Sequence, residues 1–179
     1  MDASAISQII FLIILLIFSA FFSSAETALT TVNKIRMRTL ADDGNKRAER
    51  VLRITDDSHK MLSAILIGNN IVNLSASSLA TTLAIKLWGS VGAGIATGIL
   101  TFLILVFGEI SPKTFATLYA DQISIAYSGI IGFLMKILTP VIFLVNQFSM
   151  GFLFLLHVDP KANNNQMTEE ELRTIEDVS

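Results

Sequence analysis

Three long apolar stretches predict helices that cross a membrane. The first runs from about Ile6 to Leu29, the second from about Met61 to Leu87, and the third from about Val91 to Phe107. A spanning helix needs about 20 consecutive, mostly apolar residues, a length that the first two stretches reach. Because only the short turn Trp88–Ser90 separates the second stretch from the third, these two are expected to form a tight helical hairpin.

A fourth apolar stretch, from about Ile123 to Val158, is too long for one simple span, and Lys136 and Pro140 interrupt it. Two forms are compatible with this pattern. It can be a single tilted, kinked helix that crosses the membrane, or two pieces that lie against the membrane surface. The two forms place the C-terminus on opposite sides.

The polar segment 33–60 carries eight basic residues and is expected to be cytoplasmic, since Lys and Arg accumulate in cytoplasmic loops. The N-terminus is then outside. Apolar residues interspersed among these charges also suit surface helices that rest on anionic headgroups. A plain topogenic loop remains an equal alternative.

After the apolar stretches the composition changes. Asn163–Asn165 is typical of a linker, and Thr168 followed by Glu171 forms a capping box, which predicts the start of an acidic soluble helix. We therefore expect a membrane domain over residues 1–158 and, over 159–179, a linker with the beginning of a cytoplasmic helix.

The composition agrees with a membrane protein. Of the 179 residues, 52% are hydrophobic and 16% charged, with a mean hydropathy of +0.62. The absence of cysteine excludes disulfides and thiolate metal sites. The lipid bilayer is the expected environment, and no nucleic-acid partner is expected.

Glu109 is the polar residue that packing explains least. It follows the third apolar stretch directly, and a carboxylate at the centre of a membrane helix costs about 2.5–3.5 kcal/mol. Pro112 has no N–H, so in a helix the carbonyl of Gly108 would lack its partner. A freed carbonyl beside a carboxylate offers two oxygen ligands to a hard cation. Alternatively, Glu109 forms an ion pair with Lys113, four residues on.

Other polar residues of the apolar stretches share helix faces. Ser19 and Ser23 are four residues apart, and Asn69, Asn73 and Ser77 follow the same spacing, with Asn70 beside them. These groups supply oxygen without imidazole or thiolate, which suits Mg²⁺, Ca²⁺ or Na⁺. Each can instead bond across helices for structural reasons alone.

Three strings of the sequence resemble the CorC/CNNM family of magnesium transporters. They are Ser19–Leu29 (SAFFSSAETAL), Gly68–Asn73 (GNNIVN) and Gly108–Lys113 (GEISPK), and they occur in the order and spacing of that family. The segment from Met167 resembles the lead into the family's paired CBS domains.

The resemblance implies an all-α membrane protein in the plasma membrane, a homodimer in which each subunit has three spanning helices and a kinked, belt-like juxtamembrane helix. The C-terminus is then cytoplasmic and continues into CBS domains that bind ATP. Mg²⁺ would be exported, with Na⁺ as the coupling ion. The implied ion site comprises Ser23, Asn69 or Asn70, Asn73, and the Gly108–Glu109 corner.

We therefore expect a Mg²⁺ transporter and not an enzyme. The expected metal ligands are Ser23, Asn69, Asn70, Asn73, Gly108 and Glu109. Pathway or secondary roles are expected for Ser19, Ser24, Glu26, Ser77, Pro112 and Lys113. The alternative is a membrane-anchored Mg²⁺ sensor that regulates another transporter. An intramembrane hydrolase is a distant third, because no Gly-x-Ser-x-Gly elbow is present.

Overall fold

A computed structural model describes residues 3–156, and this part of the chain is helical almost throughout. The expected end of the membrane domain at Val158, and the linker and capping box of 159–179, lie outside the described residues. The helices are α1 Ala3–Thr31, α2 Lys34–Asp42, α3 Lys46–Asp56, α4 Ser58–Trp88, α5 Ser90–Leu103, a π-helical segment Ile104–Ile110, α6 Ser111–Leu118, α7 Ala120–Ile137 and α8 Thr139–Leu155.

Three helical stretches among the described residues are long and apolar enough to span a membrane, as predicted. They are Ser4–Thr31, Ser58–Trp88 and Ser90–Leu118. The predicted end of the third stretch at Phe107 is wrong. Helix continues through the π segment and α6 to Leu118, because Pro112 lies in the first turn of α6, where its missing N–H is tolerated.

The predicted hairpin between the second and third stretches is confirmed. Gly89 alone connects α4 to α5, with a φ of 70° that side chains rarely adopt. Gly92 makes the close contact, since a Cβ there would lie 2.7 Å from the carbonyl oxygen of Ala84. Gly94 and Gly98, which have the spacing of a helix-packing motif, face open space and do not form this hairpin.

Two contacts set the register of the antiparallel helices α1 and α4. The Lys86 ammonium donates a hydrogen bond of 2.7 Å to the Ser4 hydroxyl at one end. Farther along, a Cβ on Gly68 would lie 2.5 Å from the Phe22 ring. Ser4 and Phe22 are eighteen residues apart in α1, and Gly68 and Lys86 are also eighteen apart in α4. The two helices therefore run level with each other over this length.

The basic segment forms two helices, α2 and α3, between the end of α1 and the start of α4. Asn33, Asn45 and Asp57 accept hydrogen bonds from the first turns of α2, α3 and α4 respectively. Helices, one of the two alternatives for this segment, are confirmed. Asp121 holds the start of α2 in place by accepting bonds from the Asn33 N–H at 3.0 Å and from Arg36 at 3.2 Å.

The fourth apolar stretch forms two helices, α7 and α8, with an interruption at Leu138. α7 packs against the surface helix α3, because Gly129 lies next to Arg50 and Gly132 next to Ile54. It also contacts α1, where the Phe21 and Tyr127 rings are 4.5 Å apart. α8 is a separate apolar unit with Pro140 in its first turn.

Candidate functional site

Two serine hydroxyls on α1 are buried without a hydrogen-bond partner among the described residues. The side chains of Ser19 and Ser23 are 1% and 0% exposed, and neither Oγ atom has a bond. A serine in a helix ordinarily bonds to a carbonyl of its own preceding turn, as Ser24 does with Ala20 and Phe21. A buried hydroxyl without a partner costs about 1–3 kcal/mol, so these two atoms require an explanation.

The amide stripe of α4 contains a third such atom. The Asn73 amide nitrogen donates to Asn69 Oδ1 at 3.5 Å, which confirms that the two side chains share a face. This contact leaves Asn73 Oδ1 buried and without a partner among the described residues. The stripe therefore presents one free acceptor oxygen within the membrane.

The third span is π-helical over Ile104–Ile110, which includes Gly108 and Glu109. At its end the Ser111 N–H bonds to the Val106 carbonyl, five residues back instead of four. Pro112 donates no bond, so its missing partner is the Gly108 carbonyl in the α register or the Phe107 carbonyl in the π register. The expected break is thus a local change of helix type, of a kind frequent at functional sites.

Gly108 brings this segment against α1. A Cβ on Gly108 would lie 2.8 Å from Ser19 Oγ, so only glycine allows the backbone this close to the hydroxyl. From the α1–α4 register, Ser19 is level with the middle of the turn that separates Asn69 and Asn73. In the same register Asn69 is level with Phe21, two residues before Ser23. At a helix rise of about 1.5 Å per residue, Ser23 therefore lies about 3 Å from the height of Asn69, on the side toward α2. Three elements therefore present oxygen atoms at nearly one height along the helices, which we call the oxygen level. It comprises Ser19 and Ser23 on α1, Asn69 and Asn73 on α4, and the backbone at Gly108.

This level lies near the middle of the spans. Ser19 is within two residues of the midpoint of Ser4–Thr31, and Asn73 is at the midpoint of Ser58–Trp88. Gly108 is four residues past the midpoint of Ser90–Leu118. The polar groups are therefore well inside the apolar length, and not at the end of the third span as the sequence suggested.

Glu109 is half-buried and forms no ion pair within residues 3–156. The alternative in which Lys113 neutralises it is wrong, because the Lys113 ammonium lies 3.2 Å from Glu26 Oε2 on α1. Both side chains of that pair are 43% exposed, so Glu26 and Lys113 lie at the surface of the described helices and not in their interior. Glu109 is left as the unpaired carboxylate next to the oxygen level.

Not all predicted residues come together. Asn70 is on the exposed side of α4, and Ser24 is bonded within α1. Ser77 is half-buried one turn beyond Asn73. Pro112 lies at the start of α6, past the π segment. Ser19, expected to be secondary, contacts Gly108 directly and belongs to the centre of the arrangement.

Two features of this region were not predicted from the sequence. The π-helical register leaves no composition signal beyond Gly108 and Pro112, which suit either helix type. Gly68 serves as the contact with Phe22 that lets α4 approach α1. Its position directly before the asparagines, in a helix otherwise free of glycine, was a usable signal.

The arrangement is suited to a hard cation. Its donors are hydroxyl, amide, backbone carbonyl and one carboxylate, all of them oxygen. Within residues 3–156 no three His, Cys, Asp or Glu side chains are grouped as a metal cluster. A site with one charge among neutral oxygens holds a cation weakly, which favours release as well as entry.

Comparison with known proteins identifies the family. Residues 10–179 match the family described as the cyclin M (CNNM) transmembrane N-terminal domain. A UPF0053 protein of Haemophilus influenzae is 42% identical over 98% of this chain and 42% of its own length. The UPF0053 inner membrane protein YfjD of Escherichia coli is 38% identical over 88% of the chain and 37% of its own length.

A more distant relative from Haemophilus influenzae, named polyamine export protein, is 23% identical over 94% of the chain and 40% of its own length. The chain thus spans about two fifths of the length of these relatives. The match over nearly all residues confirms the resemblance drawn from the three sequence motifs. The chain is a multi-pass membrane protein that belongs to the CorC/CNNM family.

Proposed function

We propose that this chain is the membrane domain of a Mg²⁺ transporter and that the ion passes the level of Ser19. The supporting observation is that Ser19 Oγ, Ser23 Oγ and Asn73 Oδ1 are buried and unpartnered. Buried polar groups in proteins are almost always bonded, and in a bilayer the cost of leaving them unpaired is higher still. A cation that binds these oxygens in passage explains why they are retained.

Each residue then has a role in binding. Ser23 and Asn73 contribute neutral oxygens from α1 and α4, and Asn69 orients Asn73 through their contact. Ser19 meets the ion together with a carbonyl of the Gly108 segment. Glu109 supplies the negative charge. Mg²⁺ gives up its water reluctantly, so some of its six positions stay hydrated.

The π segment supplies a means of movement. Transporters place irregular or discontinuous helices at the substrate site near the bilayer midplane, where helix groups move relative to each other. The wider register of Ile104–Ile110 can revert to an α register by a shift of one residue, which would rotate Gly108 and Glu109 about the helix axis. Na⁺ entry is the proposed driving force for Mg²⁺ export.

The same site is a poor fit for a polyamine, the substrate in the name of one relative. An extended polycation needs several carboxylates along its length. At the oxygen level Glu109 is unpaired, whereas the nearby Glu26 is bonded to Lys113. One compact dication matches one carboxylate and a ring of neutral oxygens better.

We propose a homodimer with an external N-terminus and a cytoplasmic C-terminus that leads into CBS domains. Those domains would belong to the part of the relatives that this chain does not span.

Flux measurements test the proposal. Purified protein in liposomes loaded with a Mg²⁺-sensitive dye is compared with the Glu109→Gln variant, which keeps the size of the side chain and removes its charge. Outer-shell partners of a metal contribute roughly 10–100-fold, so loss of the charged ligand should reduce flux by at least about 100-fold. Glu49→Gln, on the exposed face of α3, is the control and should keep the parent rate.

Three results would contradict the proposal or redirect it. Parent-level flux in Glu109→Gln would exclude this site. Mg²⁺ binding without flux under any Na⁺ gradient would favour the sensor alternative. Competition by spermidine at lower concentration than Mg²⁺ would favour a polyamine substrate.

A further inference from the structure

A second candidate binding site lies outside the membrane spans, between α2 and α3. An open cavity of about 290 Å³ is lined by residues of both helices, namely Lys34, Arg38, Leu52, Arg53, Thr55 and Asp56. Three of these carry positive charge and one carries negative charge, so the lining is net positive. None of them takes part in the oxygen level described above.

The cavity lies at the end of the α2–α3 pair where the chain connects to the spans α1 and α4. Lys34 begins α2 just after α1 ends at Thr31, and Asp56 ends α3 just before α4 begins at Ser58. The two junctions are the points where the chain leaves and re-enters the apolar spans. We therefore expect the opening to lie at the depth of lipid headgroups.

The cations that line this cavity are available to a ligand. Within residues 3–156, neither Lys34 nor Arg38 forms an ion pair, whereas Arg36, between them, is bonded to Asp121. Arg53 uses one nitrogen for Glu49 at 2.9 Å, and its side chain is 72% exposed. The guanidinium groups have further N–H donors in a geometry that suits phosphate oxygens.

An exposed apolar side chain lies beside the cavity. Ile35, next to Lys34 on α2, is 77% exposed in a helix that is otherwise mainly polar. Surface helices that lie on a bilayer combine such an apolar residue with Lys and Arg at headgroup level. This pairing favours a ligand whose phosphate is attached to an apolar chain.

We propose that this cavity binds a phosphate group, supplied by the headgroup of an anionic lipid. Lys34 and Arg38 contact the phosphate oxygens, and Arg53 assists from α3. Asp56 at the cavity and Glu49, bonded to Arg53, together lower the local charge from +3 to +1, which the single negative charge of a phosphodiester headgroup neutralises. A bound headgroup would tie the α2–α3 pair to the membrane. The same phosphate chemistry would also accept free phosphate from the cytoplasm.

Binding to delipidated protein in detergent distinguishes these sources. Phosphatidylglycerol, diacylglycerol as the lipid without a phosphate, and inorganic phosphate are each titrated, with thermal stability and native mass spectrometry as readouts. The test variant is Lys34→Gln with Arg38→Gln. Its control, Lys46→Gln with Arg47→Gln, removes the same charge from the start of α3, away from the cavity.

We expect phosphatidylglycerol to bind the parent and the control equally, and the test variant at least about tenfold more weakly, since two charged hydrogen bonds are lost. The same difference with inorganic phosphate alone would support the site with a soluble ligand. Equal binding of every ligand to the test and control variants would overturn the proposal. Both test residues are exposed; if the pair of changes impairs folding, Arg38→Gln alone gives the same comparison.

Discussion

The surface helices and the membrane spans differ in how their polar groups are bonded. At the surface, Asn33, Asn45 and Asp57 cap helices, and Asp121 accepts two bonds from the start of α2. In the spans, where an unbonded polar atom is most costly, Ser19, Ser23 and Asn73 each leave an oxygen without a partner among the described residues, as does Gln8 near the start of α1.

This difference separates polar residues that build the fold from those that serve an ion. Surface polar groups are bonded by the protein itself, so their loss should lower stability and leave transport intact. The unpaired oxygens of the spans lower stability as they stand, so their loss should reduce transport and leave stability unchanged or higher. The following substitutions test that separation.

The largest effect is expected from Gly108→Ala. The added Cβ would lie 2.8 Å from Ser19 Oγ, which must turn away and leave the oxygen level. We expect Mg²⁺ flux to fall to background while circular dichroism shows an intact helical fold. The control is Gly98→Ala in the same span, where a Cβ meets nothing within 4 Å. Equal flux in the two variants would show that the close approach of the π segment to α1 is not needed for transport.

A smaller effect on flux is expected from Ser23→Ala. Removing one neutral ligand should lower flux about tenfold, at the low end for groups that support a metal. Because the hydroxyl has no partner, the free energy of unfolding should change by less than about 1 kcal/mol or rise. Ser24→Ala, on the same helix, removes a hydroxyl bonded to Ala20 and Phe21 and should keep the parent flux. Loss of flux in Ser24→Ala instead would reverse the assignment.

Asp121→Ala should produce the opposite pattern. It removes the acceptor of the exposed Asn33 N–H and the ion pair with Arg36, so we expect a loss of about 0.5–1.5 kcal/mol in unfolding free energy. Arg36→Ala removes the ion pair alone, and because that side chain is 68% exposed the loss should stay below about 1 kcal/mol. Flux per folded molecule should be unchanged in both, and a change would link α2 to transport.

Much of this separation follows from sequence pattern, and part of it does not. The spans are predictable because apolar length is a local property, and the shared face of Asn69 and Asn73 follows from helical spacing. The pairing of Lys113 with Glu26 instead of Glu109 is not predictable in this way. It depends on where α6 lies against α1, which the spacing of Glu109 and Lys113 does not record. The same holds for the contact of Ser19 with Gly108, which joins residues far apart in sequence.

The smallest effects are expected at the boundary between the two regions, where Glu26 pairs with Lys113. Glu26 lies seven residues after Ser19, about 10 Å farther along α1. Because both side chains are 43% exposed, Glu26→Gln should lower stability by less than about 0.5 kcal/mol.

The exchange Glu26→Lys with Lys113→Glu keeps the ion pair and reverses the direction of its charges. If the pair is structural, the exchanged protein transports Mg²⁺ at the parent rate. Glu26→Lys alone places a second cation beside Lys113 and should slow Mg²⁺ transport. If the exchanged protein is as slow as Glu26→Lys, the carboxylate on α1 itself meets the ion, and the transport pathway extends from the oxygen level to the end of the span where Glu26 and Lys113 pair.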